Sequence, residues 1–209
     1  NASFRSRAPG SKLRLVVPGR LLPHKGLDLF AQALPDLIQH ADVLLLGCGK
    51  FGRPFASTPG VEIVSTYSHQ ELRHHVEAFR PDAALMLSAV PESFSYTLSE
   101  MFALGLPVIA TNLGAFAERI EPGRNGLLFE ASPAALSDLV CKLACDPQML
   151  STMREHVGSS PIRNVDDMIR DYHAMLPASE AQRAAACKAR AHSPVAERWI
   201  VRGMRDRQR

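Results

Sequence analysis

Apolar and polar positions fall into two kinds of block along this chain. Short runs that are apolar almost throughout recur at Leu13–Pro18 (LRLVVP), Asp42–Leu46 (DVLLL), Val61–Ser65 (VEIVS), Asp82–Leu87 (DAALML), Leu106–Ala110 (LPVIA) and Leu127–Phe129. Between them lie longer stretches with apolar residues at helical spacing: Leu27 to about His40, His69–Phe79, a segment closing at Gly105, then Pro133–Cys145, Pro147–Val157 and Val165–Leu176. A run that stays apolar, without alternating, predicts a strand buried on both faces. Such strands alternating with helices predict a parallel sheet.

The fold class is therefore α/β, a Rossmann-like parallel sheet with helices on both faces and no internal repeat. The sequence divides into 1–12, read as a tag remnant (Asn1-Ala2) and linker, a folded body at 13–177, and a basic helical tail or linker at 178–209.

The best-defined stretch is Pro91–Gly114, PESFSYTLSEMFALGLPVIATNLG. Ser95 or Thr97 can cap a helix start, Gly105 suits a left-handed helix end, and Pro107 prevents continuation. Glu92 and Glu100 bracket the start of this helix, where free backbone N–H groups and the positive end of the dipole favour an anion. An anion site flanked by hydroxyl-accepting carboxylates suits a sugar phosphate. Spacing alone also permits a plainer reading, in which Thr97-x-x-Glu100 is a capping box and Glu92 a solvated loop carboxylate.

The first strand ends in Gly19-Arg20-Leu21-Leu22-Pro23-His24-Lys25-Gly26, a turn at the carboxyl edge of the sheet, where open α/β folds bind ligands. Arg20 and Lys25 there can hold phosphate, or can be two solvated charges. Gly47-Cys48-Gly49-Lys50-Phe51-Gly52 matches GxGxxG literally. That fingerprint needs a helix starting within the glycine turn. Pro54, Pro59 and Gly60 argue against a long helix here, and the GKS/GKT ending of a phosphate-binding Walker loop is missing.

Charge and cysteine content narrow the classes further. The net charge is +3, but residues from Ala178 onward carry eight basic against three acidic side chains, which leaves the rest at −2. Arg198, Arg202, Arg205 and Arg209 recur at helical spacing beyond Ser193-Pro194, beside Trp199. Such a stripe can lie on an anionic membrane surface, and is also compatible with a solvated face or a linker. Cys48, Cys141, Cys145 and Cys187 form no CxxC pair, and His69, His74 and His75 are not spaced as ligands. No apolar run approaches the ~20 residues that span a bilayer. The expectation is a reduced, cytoplasmic domain, with membrane contact at most peripheral, that binds no metal, cofactor or nucleic acid.

These motifs together resemble the C-terminal, donor-binding half of group 1 (family 4) retaining glycosyltransferases of the GT-B fold. PESFSYTLSEMFALGLPVIA follows that family's Glu-x7-Glu pattern nearly throughout, GRLLPHKG follows its G-R-L-x3-K-G turn, and EPGRNGLLFE (Glu121–Glu130) follows a later E-x3-G-x-x-G-L-L element. The resemblance spans about Leu13–Leu176. It implies that a nucleotide-diphosphate sugar, such as a UDP- or GDP-sugar, lies against this half. Arg20 and Lys25 would neutralise the diphosphate leaving group, so that Arg20, Lys25 and Glu92 form the catalytic set. Glu92 would orient the sugar and Glu100 would hold the ribose. Gly19 and the backbone of Ser93, Phe94, Ser95, Tyr96 and Thr97 would meet sugar and phosphate, and Ser65, Thr66 and Tyr67 would lie along the base.

The resemblance also implies an acceptor-binding half that precedes this one and a reaction without metal. Ser95 stands where the pattern has Gly, Met101 where it has Ala, and Asn112 and Ala115 replace a common Asp and Gly. Two other readings stay open at this level: a non-catalytic nucleotide-sugar-binding module and a dinucleotide-binding oxidoreductase domain.

Overall fold

The computed structural model describes residues 11–159 and 165–175. Six strands form one sheet: β1 (Leu13–Pro18), β2 (Ala41–Leu46), β3 (Val61–Val64), β4 (Ala83–Met86), β5 (Val108–Thr111) and β6 (Gly126–Phe129). The helices are α1 (Leu27–His40), α2 (Leu72–Phe79), α3 (Tyr96–Ala103), α4 (Ala115–Arg119), α5 (Pro133–Cys145), α6 (Pro147–Ser159) and α7 (Val165–Met175). Every strand pair is parallel, and the order is β3-β2-β1-β4-β5-β6. The chain therefore winds outward from β1 in one direction and from β4 in the other. This is the doubly wound arrangement expected from the strand and helix pattern.

Successive residues of a strand point to opposite faces, and the core divides accordingly. Leu13, Leu15, Val17, Val43, Leu45 and Leu85 pack with Phe30, Leu34 and Leu37 of α1 and with Leu136, Val140 and Leu143 of α5. Val16, Leu44, Leu46, Ala84, Met86 and Val108 pack on the other face with Leu72, Val76 and Phe79 of α2 and Leu98 and Met101 of α3. Burying one such side chain fully contributes roughly 1.5–3 kcal/mol, so sandwiching the central strands anchors their carboxyl ends firmly.

The boundaries shift where local chemistry requires it. The fifth strand starts at Val108, after the expected Leu106, because Leu106 is used to close α3. Its N–H donates to Met101 O at 3.0 Å and the Gly105 N–H donates to Phe102 O at 2.9 Å, with Gly105 at φ 76°. This is a Schellman ending, and Pro107, without an N–H, then separates helix from strand. The helix expected from His69 begins as a 3-10 turn over His69–Glu71, closed at its start by a capping box of Ser68 and Glu71. α4 has no counterpart in the sequence pattern.

The chain divides into two compact units, Asn1–Ser160 and Pro161–Arg209. Of the second, α7 is described, and Met168, Ile169, Tyr172 and Met175 are exposed on it. The residues read as a tag remnant and those read as a basic tail at 178–209, with the arginine stripe, lie outside the described residues. No helix among the described residues is long and apolar enough to cross a membrane.

Candidate functional site

The winding direction reverses between β1 and β4, and at that point the loops leaving the two strands diverge and leave a crevice. The β1 loop, from Gly19 to Gly26, supplies Arg20 and Lys25. Gly19 has φ 91° and its N–H donates to Leu46 O at 2.7 Å, which turns the chain out of the sheet. Pro23–Lys25 forms a 3-10 turn closed by Gly26 at φ 88°. A Cβ on Gly26 would lie 2.0 Å from Leu87 O, so only glycine lets this turn press against the end of β4. His24 O accepts from the Ala89 N–H at 3.0 Å and from Ser88 Oγ at 3.3 Å, while Ser88 O accepts from Thr111 Oγ1 at 2.7 Å. Three strands are thereby tied together beneath the crevice.

The β4 loop supplies Glu92. Lys25 Nζ donates to Glu92 Oε1 at 2.5 Å, across 67 positions of sequence. Gly114, at φ 50°, leaves no room for a side chain, because a Cβ there would come 2.7 Å from both N and O of Glu92. The Ala115 N–H donates to Glu92 O at 2.8 Å. Farther along this loop, Ser95 caps α3: its Oγ accepts from the Leu98 N–H at 3.4 Å. Ser95 does so at φ 61°, a left-handed conformation that costs a non-glycine residue on the order of 1–3 kcal/mol. With Ser95 as the cap, Thr97 and Glu100 do not form a capping box, and Glu100 instead pairs with His69 Nδ1 at 3.2 Å.

Two adjoining hollows share Gly19 and Arg20. The larger, about 490 Å³, is lined by that pair, by Gly47–Phe51 and by Ser65, Thr66 and Tyr67. Its lining holds the cations Arg20 and Lys50 and no carboxylate. The smaller, about 100 Å³, adds Lys25, Glu92, Ser95, Thr97 and Ser88. Arg20, Lys25 and Glu92 thus converge. Glu100 lines neither hollow, although its charge reaches Tyr67 of the larger one. There Tyr67 has its phenol pKa raised, first by burial and then by the Glu100 charge. Ser93, Phe94 and Tyr96 line neither hollow, and the Phe94 and Tyr96 rings are solvent-facing, edge to face at 5.2 Å.

In the sequence, Gly47–Phe51 stands out only as part of a dinucleotide fingerprint. The chain continues from it into a seven-residue 3-10 segment, Gly49–Phe55, and not the long helix that fingerprint requires. Its place at the end of β2 nevertheless makes it a wall of the larger hollow. A Cβ on Gly47 would meet the Tyr67 ring at 2.7 Å, so this glycine lets the ring lie against main chain. Burial raises the pKa of the Cys48 thiol and keeps it protonated. Among the described residues no cluster of three or more His, Cys, Asp or Glu is placed to hold a metal ion. The other contributors that pattern reading does not single out are Ser88, Thr111, Gly114 and Arg119. Each acts through a contact between distant segments, and no local motif marks such a contact.

A doubly wound sheet with a cation-lined crevice at its switch point belongs to the open α/β class, in which ligands bind outside the carboxyl ends of the strands. Comparison with known proteins specifies it further. Residues 12–146 match the family model described as Glycosyl transferases group 1, and the chain belongs to that family. It is 31% identical over 160 residues to D-inositol 3-phosphate glycosyltransferase of Arthrobacter sp. (strain FB24), covering 68% of this chain and 38% of that protein. The chain thus spans well under half the length of this relative. Among solved structures, sucrose-phosphate synthase from Thermosynechococcus elongatus superposes with a TM-score of 0.66 at 21% identity, over 86% of this chain and 47% of that one. Anabaena HepE in complex with UDP and glucose gives 0.61 at 18% identity, over 79% and 49%. The likeness to these GT-B glycosyltransferases is one of fold.

Proposed function

We propose that this chain is the donor-binding half of a metal-independent, retaining glycosyltransferase that transfers a sugar from a nucleoside diphosphate to a glycan or lipid-linked acceptor. The observation that carries the proposal is the junction of two unlike hollows at Gly19–Arg20. One is large, cationic and walled by Tyr67, which suits a base and ribose leading to phosphate. The other is small and holds an ion pair, which suits a sugar whose hydroxyls donate to Glu92. Family membership and a neighbour bound to UDP support the same choice of donor class.

In this reading Arg20 and Lys25 meet the diphosphate and stabilise the charge that grows on it as its bond to the sugar carbon breaks. Glu92, 16% exposed at its side chain, accepts from sugar hydroxyls and fixes the reacting face. Glu100 accepts from the ribose hydroxyls. Backbone N–H groups at the start of α3 meet phosphate or sugar oxygens. Phosphate charge is neutralised by side chains, so the step needs no divalent ion. The acceptor is bound by a further domain of the full-length protein.

Ligand-dependent melting and calorimetry with UDP, GDP and their sugars test this. Stabilisation by one of these families and not by NAD or FAD is the expected result. Binding of NAD or FAD alone would overturn it. In the full-length protein, Glu92→Gln is expected to abolish transfer, and NMR of the product is expected to show the donor's anomeric configuration. Inversion would remove the retaining assignment.

A further inference from the structure

α4 lies behind the loop that carries Glu92 and touches it at both ends. At its start are the Gly114 and Ala115 contacts to Glu92. At its finish stands Arg119, which neither hollow includes in its lining. The half-buried Arg119 guanidinium donates to Phe94 O, to Ser95 O at 3.2 Å and to Ser99 Oγ at 2.8 Å. Its Cζ lies 4.4 Å over the Phe94 ring. Among the described residues no carboxylate is ion-paired with it. One planar fork therefore grips two consecutive main-chain carbonyls and a side chain of α3.

A peptide unit is planar and trans, so its C=O and N–H point in opposite directions. The carbonyls of Phe94 and Ser95 belong to the same peptide planes as the N–H groups of Ser95 and Tyr96. Drawing both carbonyls toward Arg119 turns both N–H groups away from it. Between those planes sits Ser95 at φ 61°, a residue that lines the smaller hollow and whose O accepts, besides the Arg119 bond, only a long 3.5 Å bond from the Ser99 N–H among the bonds described. An unrestrained serine would relax to negative φ and rotate the two planes.

We propose that Arg119 is a positioning residue: it holds the Phe94–Tyr96 backbone so that the Ser95 and Tyr96 N–H groups are aimed at the oxygens of the bound diphosphate sugar. This rests on the donor-binding reading above. Arg119 itself touches no substrate. Burial lowers its pKa, yet the group remains a cation and strengthens both hydrogen bonds to carbonyl.

The test compares wild type, Arg119→Ala, Arg119→Lys and the pair Arg119→Ala with Ser95→Gly, using UDP and GDP against uridine and guanosine as calorimetric probes. Arg119→Ala is expected to weaken the nucleoside diphosphate about tenfold while leaving the nucleoside nearly unchanged. Lysine is expected to recover little, since one ammonium cannot span both carbonyls. Ser95→Gly in the alanine background is expected to recover part of the loss, because glycine adopts positive φ without a restraint.

Without any ligand, the backbone amide and carbonyl chemical shifts of Phe94, Ser95 and Tyr96 are expected to move in Arg119→Ala, with the shifts of the central strands unchanged. Wild-type affinity with unmoved shifts would overturn the proposal. So would equal losses for nucleoside and nucleoside diphosphate, which would mark a general structural role. If wild type binds no nucleotide at all, the donor reading fails, and the chemical shifts still decide whether Arg119 sets this backbone.

Discussion

Lys25 Nζ and Glu92 Oε1 lie 2.5 Å apart, so the cation assigned to phosphate and the carboxylate assigned to sugar are each other's partners before any ligand arrives. The pair keeps both side chains in the smaller hollow, and a donor must share or replace their contact. Lys25→Met is expected to weaken UDP or GDP roughly 10–100-fold while leaving the free nucleoside within about twofold, because a charge-assisted contact to phosphate is lost. Calorimetry on both ligands reads the difference. Equal losses would remove the phosphate assignment.

Gly114→Ala tests the support under Glu92 without touching a charged group. The new Cβ would lie 2.7 Å from the Glu92 backbone, at a φ of 50° that disfavours alanine by itself. A destabilisation of about 1–3 kcal/mol is expected from strain alone. Denaturant unfolding measures it, and sugar-nucleotide affinity is expected to fall further than nucleotide affinity. Wild-type stability and affinity in this variant would show that the loop tolerates displacement.

The Tyr67 phenol provides a spectroscopic probe of the larger hollow. Its folded-state pKa is raised above the ordinary value of 10.0, by burial first and the Glu100 carboxylate second. A raised folded pKa means that this group stabilises the fold below the unfolded value and loses that contribution as pH climbs through the folded one. The difference between wild type and Tyr67→Phe in near-ultraviolet titration should therefore place phenolate formation above 10. Glu100→Gln should move it partly back toward the ordinary value. No movement would separate Glu100 from this hollow.

Asp82 and Arg154 provide a stability test remote from the site. Arg154 Nη2 lies 3.6 Å from Asp82 Oδ1 and donates to Asp82 O at 2.8 Å, while Asp82 Oδ2 accepts from the Arg14 N–H at 2.9 Å. Burial lowers the Arg154 pKa, and Asp82 opposes that shift. Asp82→Ala removes the carboxylate that faces a largely buried guanidinium and accepts from the Arg14 N–H, and a loss of about 2 kcal/mol is expected. Chemical unfolding should show it with nucleotide affinity unchanged. A change below about 0.5 kcal/mol would class the pair with surface ion pairs.

Much of the sheet was legible because its strands are short, apolar and punctuated by glycine and proline, so each announces itself locally. The carboxyl-edge rule placed the Gly19–Gly26 turn at the crevice, but spacing left Arg20, Lys25 and Glu92 open to a reading as solvated charges. Only the resemblance to a family pattern implied that the three meet, as they do in the smaller hollow. Contact between distant segments escaped. Gly47–Phe51 has the look of a failed fingerprint, although its position at a strand end already places it at the crevice. α4 is too short to show a helical period. Arg119 carries no motif, since its role depends on two carbonyls more than twenty residues upstream.

The lock between Gly26 and Leu87, with His24 O holding Ser88 and Ala89, bears on how this protein can be re-engineered. The segment bearing Lys25 and the one leaving β4 form a matched cassette, shaped to each other at main-chain distance. Importing either from a homologue by itself would bring an ill-fitting seam into the floor of the crevice. Chimaeras that exchange 19–26 together with 87–92 should keep their fold and take on the sugar preference of the source, while the base preference stays with the recipient.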